Sequence, residues 1–328
     1  MRRRQFMAVL SATAAWPLAV RAQQPEQMRR VGALMPFPEN DPVTRASVKA
    51  FVGGLAQLGW AEGKNIQIDY RFAAGNPTLF ENYAAELVRL SPDVMLAGNT
   101  PAVAALRQQT RTIPIVFVLV ADPVGLGFVQ RLARPGGNIT GFSAFDPPIM
   151  GKWLQLLKGV APVVNRVAVI FNPGTAPYAS LADPVIEAAA PSVGVTVTLA
   201  PAHDDAGIEE AAAAQAREPG GGVIALPDSF NETHRDVIIA AAAHRSLPLI
   251  GPPSFPRAGG LMSYWFDVAE QYGQAASYID RVVRGASPAG LPVQYPTKYS
   301  LIINLKTAKA LGLTIPERVL EIADEVIE

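Results

Sequence analysis

Five short turns carry most of the residues in this chain that could grip a small polar molecule. They are Met35-Pro36-Phe37, Gly98-Asn99-Thr100-Pro101, Ala121-Asp122-Pro123, Asn172-Pro173-Gly174 and Pro227-Asp228-Ser229. Thr100 before Pro101, and Asp122 before Pro123, have the chemistry of a helix N-cap with proline at the first helical position. A helix starting there offers unpaired N–H groups and partial positive charge, so a carboxylate could sit at Asn99 to Ala102. An ammonium group would seek Asp122 or Asp228 instead. Phe37, Tyr178, Phe230, Tyr264 and Trp265 fall in or beside the same kind of turn and could stack on a flat ligand. Each of these residues also has an ordinary use, as a cap or in a core. Their expected gathering along one edge favours binding, and the candidate site is Phe37, Asn99, Thr100, Asp122, Asn172, Asp228 and Tyr264.

Covalent chemistry finds no comparable support. Gly141-Phe142-Ser143-Ala144-Phe145 lacks the closing glycine of a nucleophile elbow, and no glycine-rich phosphate loop follows a strand. The chain has no cysteine, hence no disulfide frame, thiolate nucleophile or cysteine-based metal site. Of the three histidines, His203, His234 and His244, the last two stand ten apart on one expected helix, which does not match two-histidine metal spacing. Asp204-Asp205 and Glu209-Glu210 suit the first turn of an alanine-rich helix. No catalytic residue, metal site or cofactor is expected. An exported α/β enzyme acting on a small polar substrate is the alternative reading.

The turns need a scaffold that lines them up, and the hydrophobic pattern supplies one. Apolar strand-like runs alternate with helix-like runs: Val31 to Met35, a helix to about Leu58, Asn65 to Tyr70, Thr78 to Leu90, Asp93 to Ala97, Pro101 to Gln109, Ile115 to Leu119, then Gly125 to Leu132 as a further helix. From Arg166 the scheme restarts with Val167 to Phe171, Ala179 to Ala190, Val195 to Leu199, Gly207 to Arg217, Gly222 to Leu226 and Asn231 to His244. Arg30 to Pro36 and Arg166 to Pro173 open the two halves alike. Strands alternating with helices build parallel sheets, whose ligands bind beyond the carboxyl ends of the strands. Arg134 to Phe142, rich in glycine and asparagine, reads as a turn and a first crossing between halves. Gly260 to Tyr264 followed by a helix at Val268 to Val283 reads as a return to the first lobe. The expected division is residues 29–142 plus 262–294 for one lobe and 143–261 plus 295–328 for the other.

Residues 1–22, MRRRQFMAVLSATAAWPLAVRA, read as a cleaved export signal: arginines, then an apolar run too short for a membrane span, then small residues. Arg3-Arg4-Gln5-Phe6-Met7 is similar to a twin-arginine motif, with Arg2 where a Ser or Thr is usual; the general secretory route is its rival. Four of the 28 basic residues lie in this signal, leaving 24 against 28 acidic ones. A mildly acidic chain offers no phosphate-neutralising patch, so nucleic acid is not an expected partner. With no cysteine to lipidate and no span, stable membrane insertion is not expected either. The protein should be periplasmic and monomeric. A DNA-binding module, which a bilobal ligand sensor of transcription would need, has its place taken by the export signal.

Three stretches resemble the ABC transporter substrate-binding proteins of the TrpX/TrpY-like family: AAWPLAVRAQQ, TIPIVFVLVADPVGLGFVQRLARPGGNITGFS, and the long run from Gly259 to the end that begins GGLMSYWFDVAEQYGQ. The resemblance implies an α/β fold of two Rossmann-like lobes with parallel sheets, the type I periplasmic-binding-protein architecture, joined by three hinge crossings. It implies a small-molecule ligand enclosed by hinge closure, in some members an aromatic amino acid, and delivery to an inner-membrane ABC permease. Carried over by position, the cleft loops would hold Phe37, Thr100, Asp122, Asn172, Asp228 and Tyr264. Two positions depart from the family pattern: Trp265 stands where a glycine is frequent, and Asp228-Ser229-Phe230-Asn231 replaces an Asp-Pro-Phe-Phe-like turn.

Overall fold

Near-continuous apolar strands buried on both faces are the mark of parallel sheets covered by helices, and two such sheets organise this chain. The computed structural model describes residues 28–144 and 149–328, with backbone only for 180–185. The expected export signal, with its twin-arginine motif, lies outside the described residues. The first lobe runs β1 (Arg29–Met35), α1 (Pro42–Gln57), β2 (Ile66–Phe72), α2 (Pro77–Arg89), β3 (Val94–Ala97), α3 (Thr100–Gln109), β4 (Ile115–Val120) and β5 (Ile139–Ser143). Its sheet is parallel throughout, in the order β2-β1-β3-β4-β5.

The second lobe starts with α4 (Ile149–Val160) and continues through β6 (Arg166–Phe171), α5 (Ala179–Val193), β7 (Thr196–Pro201), α6 (Asp205–Gln215), β8 (Gly221–Ala225), α7 (Ser229–Thr233), α8 (Arg235–His244), β9 (Leu249–Ile250), α9 (Ser254–Arg257) and β10 (Met262–Trp265). After α10 (Val268–Val283) the chain adds β11 (Ser300–Asn304), α11 (Leu305–Ala310), α12 (Glu317–Leu320) and β12 (Glu325–Ile327). The second sheet runs β7-β6-β8-β9-β10-β11-β12, with only the β10–β11 pair antiparallel. Both lobes therefore share the doubly wound 2-1-3-4-5 order, whose ligand site lies at the carboxyl edge. The second lobe extends it by two strands.

Strand pleating sorts side chains to the two faces of each sheet. In the first, Val31, Ala33, Val116 and Val118 pack with Phe51 of α1 and Tyr272 and Ile279 of α10. Leu34, Met95, Ile115 and Phe117 face Phe80, Leu87 and Leu106 of α2 and α3. The helix after β10 thus covers the first lobe, where it lies close along α1. Glycine permits that approach: a Cβ on Gly54 would stand 2.7 Å from the Gly273 carbonyl oxygen. In the second lobe Trp153 and Leu157 of α4 join Val167, Val169, Ile224 and Ile303. Each fifth strand therefore hands the chain to a helix that packs on the opposite lobe.

Four expectations change. Residues 125–132 form turns, not a helix, because Asp122 takes a positive φ of 40° and its Oδ1 accepts the Gly125 N–H at 2.8 Å, folding the chain back. Residues 139–142 belong to β5, paired with β4, so the Gly/Asn-rich segment ends as an edge strand and the crossing starts beyond Ser143. Met262 to Trp265 pair with β9 and β11, which puts them in the second lobe and moves the return crossing to residues 266–267. Helix α4, whose residues lay between the two runs of alternating elements, was not expected. The last crossing falls between Gln294, which still bridges Phe142, and Ser300 of β11. Among the described residues no helix is long and apolar enough to cross a membrane.

Candidate functional site

The carboxyl edges of both sheets face one another around a cavity of about 660 Å³, within the roughly 300–1,000 Å³ usual for small-molecule sites. Phe37, Asn99, Thr100 and Asp228 all line it. In the first lobe, Gly98 lets the β1 and β3 turns meet, since a Cβ there would collide with the Pro36 ring, and it also makes room for α10, whose Tyr272 hydroxyl would lie 2.7 Å from that Cβ. Asn99 caps α3 by accepting the Ala102 N–H at 3.0 Å, and its Nδ2 reaches the Ser229 hydroxyl of the second lobe at 3.4 Å. Thr100 is 2% exposed, and its Oγ1 has no hydrogen-bond partner. A buried hydroxyl without a partner is costly; here it belongs to a cavity-lining residue at the amino end of a ten-residue helix. Pro101 has no N–H and the Ala102 and Val103 N–H groups are bonded to Asn99, so the Thr100 hydroxyl and the backbone N–H groups of Asn99 and Thr100 are the donors left at this helix end.

Asp228 answers from the second lobe. Its Oδ1 accepts from Thr175 Oγ1 at 3.1 Å and from the Asn231 N–H at 2.8 Å, and its Oδ2 accepts the Asn172 N–H at 3.3 Å. Burial pushes its carboxyl up to about 7, and these hydrogen bonds hold the rise in check. Tyr178, which donates to the Pro227 carbonyl at 2.6 Å, lines the same wall; burial first, then the Asp228 charge, raises its phenol well above its usual range. Phe37, Trp265 and Phe266 supply aromatic surface, with Trp265 and Phe266 in contact at 4.7 Å between ring centres. Leu119, held at φ 56° in β4, borders the cavity; its N–H donates to Gln271 Oε1 at 2.9 Å, and Gln271 Nε2 donates to the Ser143 carbonyl at 2.8 Å. α10 thereby braces the point where the chain leaves the first lobe.

Three candidate residues lie elsewhere. Asp122 caps its own turn and does not border the cavity. Asn172 stands behind Asp228: its Oδ1 accepts the Gly174 N–H and its Nδ2 donates to the Ala202 carbonyl, so it shapes the turn and faces a second, more open depression shared with His203 and His234. Tyr264 points away, its ring stacked on Tyr299 at 5.6 Å and its carbonyl accepting from Trp153 Nε1. Strand alternation turns Trp265 inward in its place.

Sequence reasoning missed Glu232 and Arg235, which border the cavity, and Phe266. Glu232 and Arg235 sit at i, i+3 in the turn joining α7 to α8, a spacing that marks a side-chain pair. Both cationic groups on the cavity wall are engaged: Arg235 by Asp41 and Glu232, and Arg257 by Glu325 at 2.6 Å. Among the described residues no unpaired arginine or lysine therefore lines the cavity. No group of three or more His, Cys, Asp or Glu among them could hold a metal ion.

Two doubly wound lobes closed over a cavity with hydrogen-bond donors on one wall and a buried acid on the other define a bilobal solute-binding protein. The chain belongs to the ABC transporter substrate-binding protein family, whose sequence model matches residues 37–327. A Clostridioides difficile tyrosine-binding protein is 35% identical over 124 residues, covering 38% of this chain and 35% of that one, so the match spans about a third of the curated relative's length. A conserved domain protein from Vibrio cholerae has 33% identity and a TM-score of 0.85, over 92% of this chain and all of its own. An ABC domain from Streptococcus pneumoniae, crystallised in complex with L-Trp, shares the fold at 24% identity and a TM-score of 0.84, again over 92% of this chain and all of its own.

Proposed function

We propose that this substrate-binding protein encloses a free aromatic amino acid in the periplasm and delivers it to an inner-membrane ABC permease. The carrying observation is the polarity of the cavity: Thr100, whose buried hydroxyl at the head of α3 is unpaired, lines one wall, and the buried Asp228 lines the other. A zwitterion is the ligand class that satisfies both, its carboxylate taking donors from Thr100 and the α3 amino end and its ammonium neutralising Asp228. Phe37, Trp265 and Phe266 give a ring apolar contact. The relatives named for tyrosine and L-Trp favour the aromatic class. Export through residues 1–22 and action as a monomer complete this reading.

Hinge closure fits the chemistry, because only a shut cleft brings the two walls to one small molecule and excludes water. A ligand that binds only the folded, closed form raises stability by mass action, by about 4 kcal/mol at a thousand times its dissociation constant. Thermal unfolding of the mature protein against the twenty L-amino acids tests the reading. L-Trp, L-Tyr or L-Phe should give the largest rise in melting temperature. Folded protein that shifts with none of them, or that shifts with sugars only, would overturn it.

A further inference from the structure

Asp41 gives its two carboxylate oxygens to two different lobes. Oδ1 accepts the Val43 N–H at 2.7 Å and caps α1 of the first lobe. Oδ2 accepts from Nη1 of Arg235, the first residue of α8 in the second lobe, at 3.0 Å. Among the described residues this is the one ion pair that joins the lobes. The Asp41 side chain is 10% exposed and that of Arg235 22%, so salt screens them less than a surface pair.

Arg235 is set in advance on its own lobe. The same Nη1 donates to the Glu232 carbonyl at 3.2 Å and to Glu232 Oε1 at 3.3 Å. Glu232 is 5% exposed, and burial pushes its carboxyl above the usual range while Ser254 and the Arg235 charge pull it back. A buried carboxylate stripped of its cation would be strongly destabilising, so Glu232 keeps Arg235 in place whether or not the first lobe is near. Only the Asp41 contact depends on the lobes meeting. Asp41 itself does not border the cavity, although Pro42, Val43 and Arg235 do.

We infer that Asp41, Arg235 and Glu232 form an inter-lobe clasp, in which a preset cation of the second lobe engages a helix cap of the first only when the cleft is shut. Asp41 is thus a positioning residue that acts on the ligand through closure. The clasp's use in ligand retention rests on the binding reading above; its geometry does not. Opening returns both charges to water, so its effect should fall on the release rate more than on capture.

Asp41→Asn and Asp41→Ser separate the clasp from the cap, because both residues are good N-caps and α1 should keep its start. Asn can still accept a weaker, neutral bond from Arg235; Ser is too short to reach. Small-angle X-ray scattering of ligand-free protein reads closure with no ligand present, and stopped-flow tryptophan fluorescence after loading with L-tryptophan reads release. Melting temperatures close to wild type are expected, with a radius of gyration larger in Asp41→Ser than in Asp41→Asn. Release should quicken by about tenfold in Asp41→Ser. Arg235→Lys, which keeps a charge for Glu232 but not the planar fork, should fall between wild type and Asp41→Ser. Scattering curves that superimpose on wild type would overturn the clasp, as would unchanged release rates. Should L-tryptophan not bind wild type at all, the ligand reading fails while the scattering still decides for or against the clasp.

Discussion

Asn99 and Asp228 hold matching posts in the two lobes. Each follows the third strand of a 2-1-3-4-5 sheet, and each accepts the N–H three residues on, from Ala102 and from Asn231. Their surroundings then diverge. Asn99 is neutral, lends its amide to the opposite lobe, and is followed by a threonine whose buried hydroxyl is unpaired. Asp228 is a carboxyl sealed in by burial and raised to about 7, with three hydrogen-bond donors at its oxygens. Two caps of one design thus present opposite chemistry to the space between them. Repetition of a fold gives the cleft its two walls; the divergence at the caps gives a ligand its direction.

The largest expected effect concerns what Asp228 costs the empty protein. A carboxyl raised from 3.8 to about 7 by folding holds its proton more tightly in the folded chain than in the unfolded one. Its contribution to stability is therefore full below about pH 4 and is lost as pH rises through about 7, at about 1.4 kcal/mol per pH unit in between. Asp228→Asn keeps an N-cap and removes the titration. Urea unfolding of the ligand-free proteins should show the variant gaining on wild type by about 3 to 4 kcal/mol between pH 4 and pH 8. A difference that stays constant over that range would mean that Asp228 is solvated and the contrast between the caps is only nominal.

On the other wall, Thr100→Val sharpens the comparison with a smaller change. Replacing an unpaired buried hydroxyl by a methyl group of similar shape should leave the empty protein as stable or more so, by up to about 1 kcal/mol, while affinity for an amino acid falls about five- to tenfold. Calorimetric titration with L-tryptophan beside urea unfolding reads both quantities. Equal losses in stability and affinity would instead make Thr100 a structural residue.

Strand order and lobe design were legible because buried parallel strands advertise themselves as apolar runs, and the Arg30 and Arg166 runs do mark strands in matching positions, β1 and β6. What the pattern could not give was context beyond the chain neighbours. Gly125 to Leu132 has enough apolar residues for a helix, yet a side-chain bond from Asp122 and glycines at the turn win locally. Ile139 to Ser143 is short and carries Gly141, so its strand character comes from its partner β4. The same limit governed the site. Thr100, Asp122 and Asp228 were readable as caps after strands; in the fold Asn99 takes the cap of α3 and Thr100 is its first helical residue, and only packing decides which of these residues faces the cavity. Tyr264 and Trp265 are adjacent, and a one-residue difference in strand phase selects Trp265. Asp41, the cap before Pro42 whose carboxylate joins the lobes, was not singled out in the sequence, and its partner Arg235 lies 194 residues on.

The central claim is that a zwitterion lies between a donor wall and the Asp228 carboxylate. Calorimetric titration of L-tryptophan into wild type and Asp228→Asn at pH 8, where the carboxylate is ionised, tests it most directly. Loss of a charge-assisted hydrogen bond to the ammonium predicts an affinity roughly 10- to 100-fold weaker in Asp228→Asn. Equal affinities in the two proteins, with both folded, would contradict the account.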